Sequence, residues 1–349
     1  MKTRALEKYT VRDVLEYRGH PQLQHTVRES DTVEDALELM YAHDIVSLPV
    51  FGGSGQTDQA FVDIVSVYDL RDYITNSQGL KEEVDFQILS GRASGKPTVL
   101  DDTVAQVVKS RKHASREVSM RMPLEQLVQL FATYGQHRVL VTATDMDNGT
   151  HANDDNARVP NGTRKRGVSV DSGCSSASMQ SNAHTVCGLT QYDVVRFIQH
   201  HNHELGSSLD TPILNVARVH APLEPSARGH MPHITVRDTA LRALVLLRDS
   251  HNSALPVVDA DGRLVTEFAA TMLRGLTASS IGLLGKPVLA YMFGLRMPVL
   301  SPYIVHENFT LSQVMSGLLR MNCRRAWLVD REERPVAVIS LTDVLNHFL

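Results

Sequence analysis

Three stretches of the chain place a hydroxyl and a carboxylate three residues apart, where an apolar strand gives way to an amphipathic helix. They are Ser66 and Asp69 in FVDIVSVYDLRDYI, Thr190 and Asp193 in TVCGLTQYDVVRFI, and Ser340 and Asp343 in AVISLTDVLNHFL, where Thr342 adds a second hydroxyl. The S/T-x-x-D spacing is that of a capping box, in which hydroxyl and carboxylate satisfy backbone N–H groups at a helix start. Such a carboxylate can equally accept hydrogen bonds from something bound. A cap needs no relatives in the chain, whereas a binding site built from repeats does. A fourth stretch, GRLVTEFAATMLRGL, keeps the strand and helix pattern but has Ala269 and Met272 in the two places.

The elements that position these residues also repeat. Ahead of each stretch lies an amphipathic helix with apolar residues at i, i+3, i+4, i+7 and i+8. The series are Val33, Ala36, Leu37, Met40, Tyr41; Leu124, Leu127, Val128, Phe131, Ala132; and Leu311, Val314, Met315, Leu318, Leu319, while Ala240, Ala243, Leu244, Leu247 is closed by Arg248. From the first position of the series to the hydroxyl slot is 29 residues in both the third and the fourth copies. The first is four longer, the excess lying in the Gly-rich FGGSGQTDQA, and the second carries a polar tract from about 144 to 182. Between helix and hydroxyl run two strands, VSLPVF and FVDIV in the first copy, with Asp261-Gly262 marking the turn in the third. A short strand (QHTV, REVSM, HITV, YIVH) precedes each helix. The unit reads strand, helix, strand, strand, helix, four times over.

The whole chain of 349 residues is 42% hydrophobic and can bury a large core. A formal net charge of -4, from 35 basic and 39 acidic side chains, gives no single-sign field and argues against nucleic-acid binding. Three cysteines, Cys174, Cys187 and Cys323, are too few for a disulfide framework or a four-ligand zinc site. No apolar run is long enough to span a bilayer, and the charged N-terminus is no secretory signal. The expectation is a soluble protein of the cytoplasm, with the nucleus also open to it.

Strand-helix-strand-strand-helix with SALPVVDADGRLV in the middle and ISLTDVL at the end resembles the cystathionine-β-synthase (CBS) motif. Four in one chain resemble the gamma, regulatory subunit of AMP-activated protein kinase. The resemblance implies an α+β fold of four CBS motifs, at 10–76, 110–202, 210–278 and 286–349, paired one with two and three with four into two modules that meet as a flat disc. It further implies a non-enzymatic adenine-nucleotide sensor for AMP, ADP or ATP, partnered by a catalytic, alpha-type and a scaffold, beta-type kinase subunit. The alternative is a four-motif scaffold or phosphatase regulator with degenerate sites.

On that resemblance, ribose hydroxyls would be taken by Asp69, Asp193 and Asp343 with Ser66, Thr190, Ser340 and Thr342 beside them. Phosphates need cations, and family members often carry His-Arg at the start of the second strand. Here His137-Arg138 and Arg324-Arg325 fill that place, His251 is a partial match in the third unit, and Ile45-Val46 offers nothing in the first. The departure is that the third unit, with Ala269 and Met272, cannot accept from a ribose.

Other motifs are weaker. HHNHE, His200 to Glu204, reads as a polar helix end rather than a metal site, and Gly52-Gly53-Ser54-Gly55 lacks the Lys-Ser/Thr of a phosphate loop. No nucleophile with a base, nor paired catalytic carboxylates, stands out. The 144–182 tract has the composition of a disordered insert, and Arg164-Lys165-Arg166 ahead of Ser169 makes that serine a phosphorylation candidate.

Overall fold

The computed structural model describes residues 6–19, 25–52, 60–76, 98–111, 117–133, 137–142, 186–216, 231–297, 299 and 301–349. The 144–182 tract, except for its place between two paired strands, and Ser169 lie outside them.

Four three-stranded sheets repeat one topology. A short strand pairs parallel with the middle strand, which pairs antiparallel with the third. The middle strands are Ser47–Gly52, Arg138–Thr142, Ala254–Val258 and Arg325–Val329. The ten-residue helices Val33–Ala42, Leu124–Thr133, Ala240–Asp249 and Leu311–Arg320 start at the residues that open each apolar series. Within each series the first four positions are buried. The fifth drifts off the stripe, and Tyr41 is 48% exposed, because 3.6 residues per turn carry i+8 around the cylinder.

The closing helices follow their caps. Val67–Asn76, Gln191–His200 and Leu341–His347 each begin after the hydroxyl residue of a capping pair. In the third unit Ala269 offers no side-chain acceptor, and the helix is cut to a 3₁₀ turn, Ala270–Leu273, before Gly275 turns the chain at φ 75°.

Each unit is preceded by a leader helix that packs on a different unit. Val11–Arg18 docks on the second unit, where the N–H of Val11 donates to Met122 and that of Leu124 to Tyr9. Val104–Ser110 returns the exchange on the first unit through Val33 to Asp102 and Val104 to Asp31. Ile213–Val216 and Val288–Gly294 swap between the fourth and third units in the same way. The exchange ties one with two and three with four. Helix faces join the other way: one apolar core runs through units one and three and a second through two and four. Arg71 donates to the carbonyl of Asn252 at 2.8 Å and Arg248 to that of Thr75 at 2.6 Å, stitching the first core's seam.

Candidate functional site

All three carboxylates cap helices. The N–H and hydroxyl of the residue three before donate to Oδ2 of Asp69 at 2.8 and 2.6 Å, of Asp193 at 2.9 and 2.7 Å, and of Asp343 at 2.7 and 2.6 Å. Two of them also hold an arginine from a leader helix. Arg18 donates through Nη1 to Asp193 at 2.9 Å and to the carbonyl of Gly188 at 2.7 Å. Arg111 repeats this on the first unit, reaching Asp69 at 3.3 Å and the carbonyl of Ile64 at 2.7 Å, and it also pairs with Asp63. Burial pushes the Asp69 carboxyl above its usual range, against the pull of Arg111.

These two arginines were not among the expected site residues. Their sequence signal is the shared pattern T-V-x-x-V-x-x-x-R in TVRDVLEYR and TVAQVVKSR. In the unit without the carboxylate the leader places Leu295 there, and Met272 and Leu295 both pack against the first apolar core.

A cavity of about 400 Å³ lies between the first and second units. Thr190 and Asp193 stand in its wall with Arg18, and apolar surface comes from Ile45, Pro49, Ile64 and Leu140. Two cations complete it, Arg138 from the second unit and Arg324 from the fourth. Arg138 is bonded to the Ser47 hydroxyl; neither it nor Arg324 has an ion pair among the described residues. Burial first, then repulsion from Arg324, brings Arg138 down to about 10, and burial also lowers Arg324. Both are half-buried and remain charged at neutral pH, and partly desolvated cations without a carboxylate favour an anion beside them. At Asp193 every hydrogen bond engages Oδ2, which leaves Oδ1 without one among the described residues.

The other expected residues are placed elsewhere. Ser66, Asp69, Ser340, Thr342 and Asp343 are not in the cavity wall, and Thr342 accepts from Gln191 at 2.9 Å across the seam between units two and four. His137 is held by Gln191 at 3.2 Å and lies 5.4 Å from the Tyr68 ring.

Two cation assignments need correction. Arg325 is ion-paired with Glu267 at 2.6 Å inside the interface of units three and four, so its charge is already met. His251 is exposed at φ 54° in the turn after its helix, two residues ahead of the position expected for it. The ladders pair Arg325 with Ser340, Arg138 with Thr190, Ala254 with Ala269 and Ser47 with Ser66, so the cation pair corresponds to Ser253-Ala254 and Val46-Ser47. The constant 29-residue spacing already carried this register, since counting back from the hydroxyl slot reaches Ser253.

At the HHNHE segment, Glu204 accepts from Tyr9 at 2.9 Å and pairs with Lys8 at 2.9 Å. Among the described residues no group of three or more His, Cys, Asp or Glu side chains could hold a metal ion, and no helix is long and apolar enough to cross a membrane.

A family model for the CBS domain matches residues 10–76 and 297–349. No curated protein matches the sequence. A protein of Methanocaldococcus jannaschii, proposed as an archaeal homolog of g-AMPK, matches in structure with a TM-score of 0.60 at 15% identity, covering 93% of this chain and 95% of its own. An uncharacterized conserved protein of Pyrococcus horikoshii gives 0.45 at 16% identity, over 94% and 97%. The CBS domain of a bacterial CNNM/CorC family Mg2+ transporter, in complex with ATP, gives 0.33 at 21% identity, over 44% and 96%. The CBS-domain match thus covers the first and last units, and the chain as a whole shares its overall fold with the archaeal protein proposed as a homolog of g-AMPK.

Proposed function

We propose that the cavity between the first and second units binds an adenine nucleotide, AMP, ADP or ATP, and that the chain passes this occupancy to a Ser/Thr kinase as its regulatory subunit. The observation that carries the reading is the pair of half-buried arginines, Arg138 and Arg324, in a cavity whose wall also holds Asp193; among the described residues neither arginine has a carboxylate partner and Oδ1 of Asp193 has no hydrogen bond. Phosphate oxygens meet the two guanidinium groups, one ribose hydroxyl donates to Oδ1 of Asp193, and the base lies against Ile45, Pro49 and Leu140. No catalytic constellation is required for this role. Arg324 comes from the fourth unit, so a bound phosphate bridges the two modules. A ligand that prefers one arrangement of the modules shifts the population toward it, and that shift is what catalytic and scaffold subunits would read.

A second reading, a scaffold with degenerate sites, is favoured by Arg18 and Arg111, which already engage two of the three carboxylates. Titration of adenosine, AMP, ADP and ATP into the full chain by calorimetry separates the two. Under the nucleotide reading Arg324→Ala weakens ATP by about 10- to 150-fold, the worth of a hydrogen bond to a charged group, with adenosine nearly unchanged. Absence of heat with all four ligands selects the scaffold. Affinity purification from native extract tests the kinase role, which fails if no catalytic kinase chain accompanies the protein.

A further inference from the structure

Besides Asp193, which caps a helix and holds Arg18, a second carboxylate stands in the wall of the cavity that Arg138 and Arg324 line. Asp44 follows the helix Val33–Ala42 in a left-handed turn, at φ 50°, and lines the cavity with its neighbour Ile45. The corresponding residues of the third and fourth units are His251 at φ 54° and Asn322 at φ 52°. Asn serves this backbone as well as Asp does, so the turn accounts for the short polar side chain and not for its charge.

The charge has one partner among the described residues. Nη1 of Arg274, reaching over from the third unit, donates to Asp44 at 2.6 Å and to the carbonyl of Ile45 at 3.3 Å. Arg274 is 19% exposed, whereas the Asp44 side chain is 82% exposed and open to whatever enters beside it. Arg324 lies close enough to feel both charges.

We propose that Asp44 is a specificity-determining residue that makes the cavity favour nucleotides with fewer phosphate charges. The inference rests on the nucleotide reading above. Arg138 and Arg324 answer the charge of a short phosphate chain, and each further phosphate adds negative charge to a wall that contains Asp44. Of the further arginines, Arg18 is already held by Asp193, and Arg274 is neutralised by Asp44. Because the carboxylate is solvated, the discrimination is modest and falls with salt.

The test is calorimetric titration of adenosine, AMP and ATP into the full chain in EDTA without Mg2+, at low and at high salt. Asp44→Asn is expected to raise ATP affinity relative to AMP by about two- to fivefold at low salt, the range that exposed charge pairs carry, and to leave adenosine unchanged. Arg274→Gln leaves Asp44 uncompensated and moves the same ratio the other way. Equal changes for AMP and ATP in both variants overturn the proposal and make the pair a link between units only. If the wild-type chain takes up no nucleotide, the functional reading falls and this inference with it. If it binds AMP and ATP and neither substitution moves their ratio, this inference alone falls.

Discussion

Where the first and second units meet, Arg138 donates to the Ser47 hydroxyl in the wall of a cavity; where the third and fourth meet, the equivalent Arg325 is clamped by Glu267, and Trp327 is buried over the same acid. The ladders make Ile64 the counterpart of Glu267, and Leu140 that of Trp327. Two exchanged side chains therefore separate a cavity from a plug. In the plug, Glu267 accepts from Arg325 at 2.6 Å and from the Trp327 indole at 2.7 Å, while Ala254 and Ala269 pack on the indole. The second module neutralises its buried arginine internally. The first leaves that task to solvent or to a bound anion, which is why the functional assignment falls on it.

The largest expected effect is on the plug itself. Trp327→Ala empties a fully buried site and orphans an oxygen of Glu267, so it should cost about 3–5 kcal/mol in urea unfolding of the full chain. Leu140→Ala, beside an existing cavity, belongs nearer the low end of large-to-small costs, about 2 kcal/mol. Equal losses would mean that the first interface packs as tightly as the second.

Next in size is the neutralising acid. Glu267→Gln leaves Arg325, 7% exposed, without its carboxylate; with Glu267 itself 26% exposed, solvent screening brings the cost to about 1–3 kcal/mol. Ser47→Ala, which takes only a neutral partner from Arg138, should cost about 1 kcal/mol or less. If Ser47→Ala proves the more damaging in thermal melts, the charge at Arg325 does not depend on Glu267 and the contrast between the interfaces fails.

The parts legible from sequence are those set by local periodicity. The helix starts at Val33, Leu124, Ala240 and Leu311, the paired strands and the capped closing helices all follow from apolar spacing and short polar signals. What escaped depends on alignment between units. His251 stands near the place a site cation would take, but the ladder puts Ser253 there. Arg18 and Arg111 act on units other than the one each leader precedes, so no pattern within one unit points to them. Glu267 and Trp327 gain meaning only when two sheets are registered against each other.

A smaller effect separates the modules by pH. Partial desolvation by its neighbours holds His137, which keeps an exposed edge, below its ordinary 6.5, ahead of repulsion from Arg138, Arg324 and Arg325 and against the raising effect of its bond to Gln191. The unfolded chain therefore takes up this proton at higher pH than the folded one. Stability tied to His137 is intact above about 6.5 and is lost as pH falls from there toward the folded value. The second module has Arg324 in this position, which does not titrate in that range. Melting temperatures recorded from about pH 7 down to about pH 5 should fall less steeply in His137→Gln. An unchanged slope would place the acid sensitivity elsewhere.

The smallest effect concerns two caps that look alike in sequence. Oδ2 of Asp343 accepts from the N–H and hydroxyl of Ser340, and no arginine reaches it among the described residues. Asp343→Asn keeps an acceptor for the turn and loses only the favourable charge at a helix N-terminus, about 0.3–1 kcal/mol. Asp193 carries the same cap and also holds Arg18, with both side chains 15% exposed. Asp193→Asn should therefore cost about 1–3 kcal/mol. Ligand binding divides the two further, because Asp193 stands in the cavity wall and Asp343 does not. Adenosine uptake at the cavity should drop in Asp193→Asn and persist in Asp343→Asn when both are titrated at the same salt. Equal stability losses would show that the Arg18 pair adds nothing to the cap. Loss of adenosine binding in both variants would move the ribose contact to the fourth unit, where Asp343 has no competing cation among the described residues.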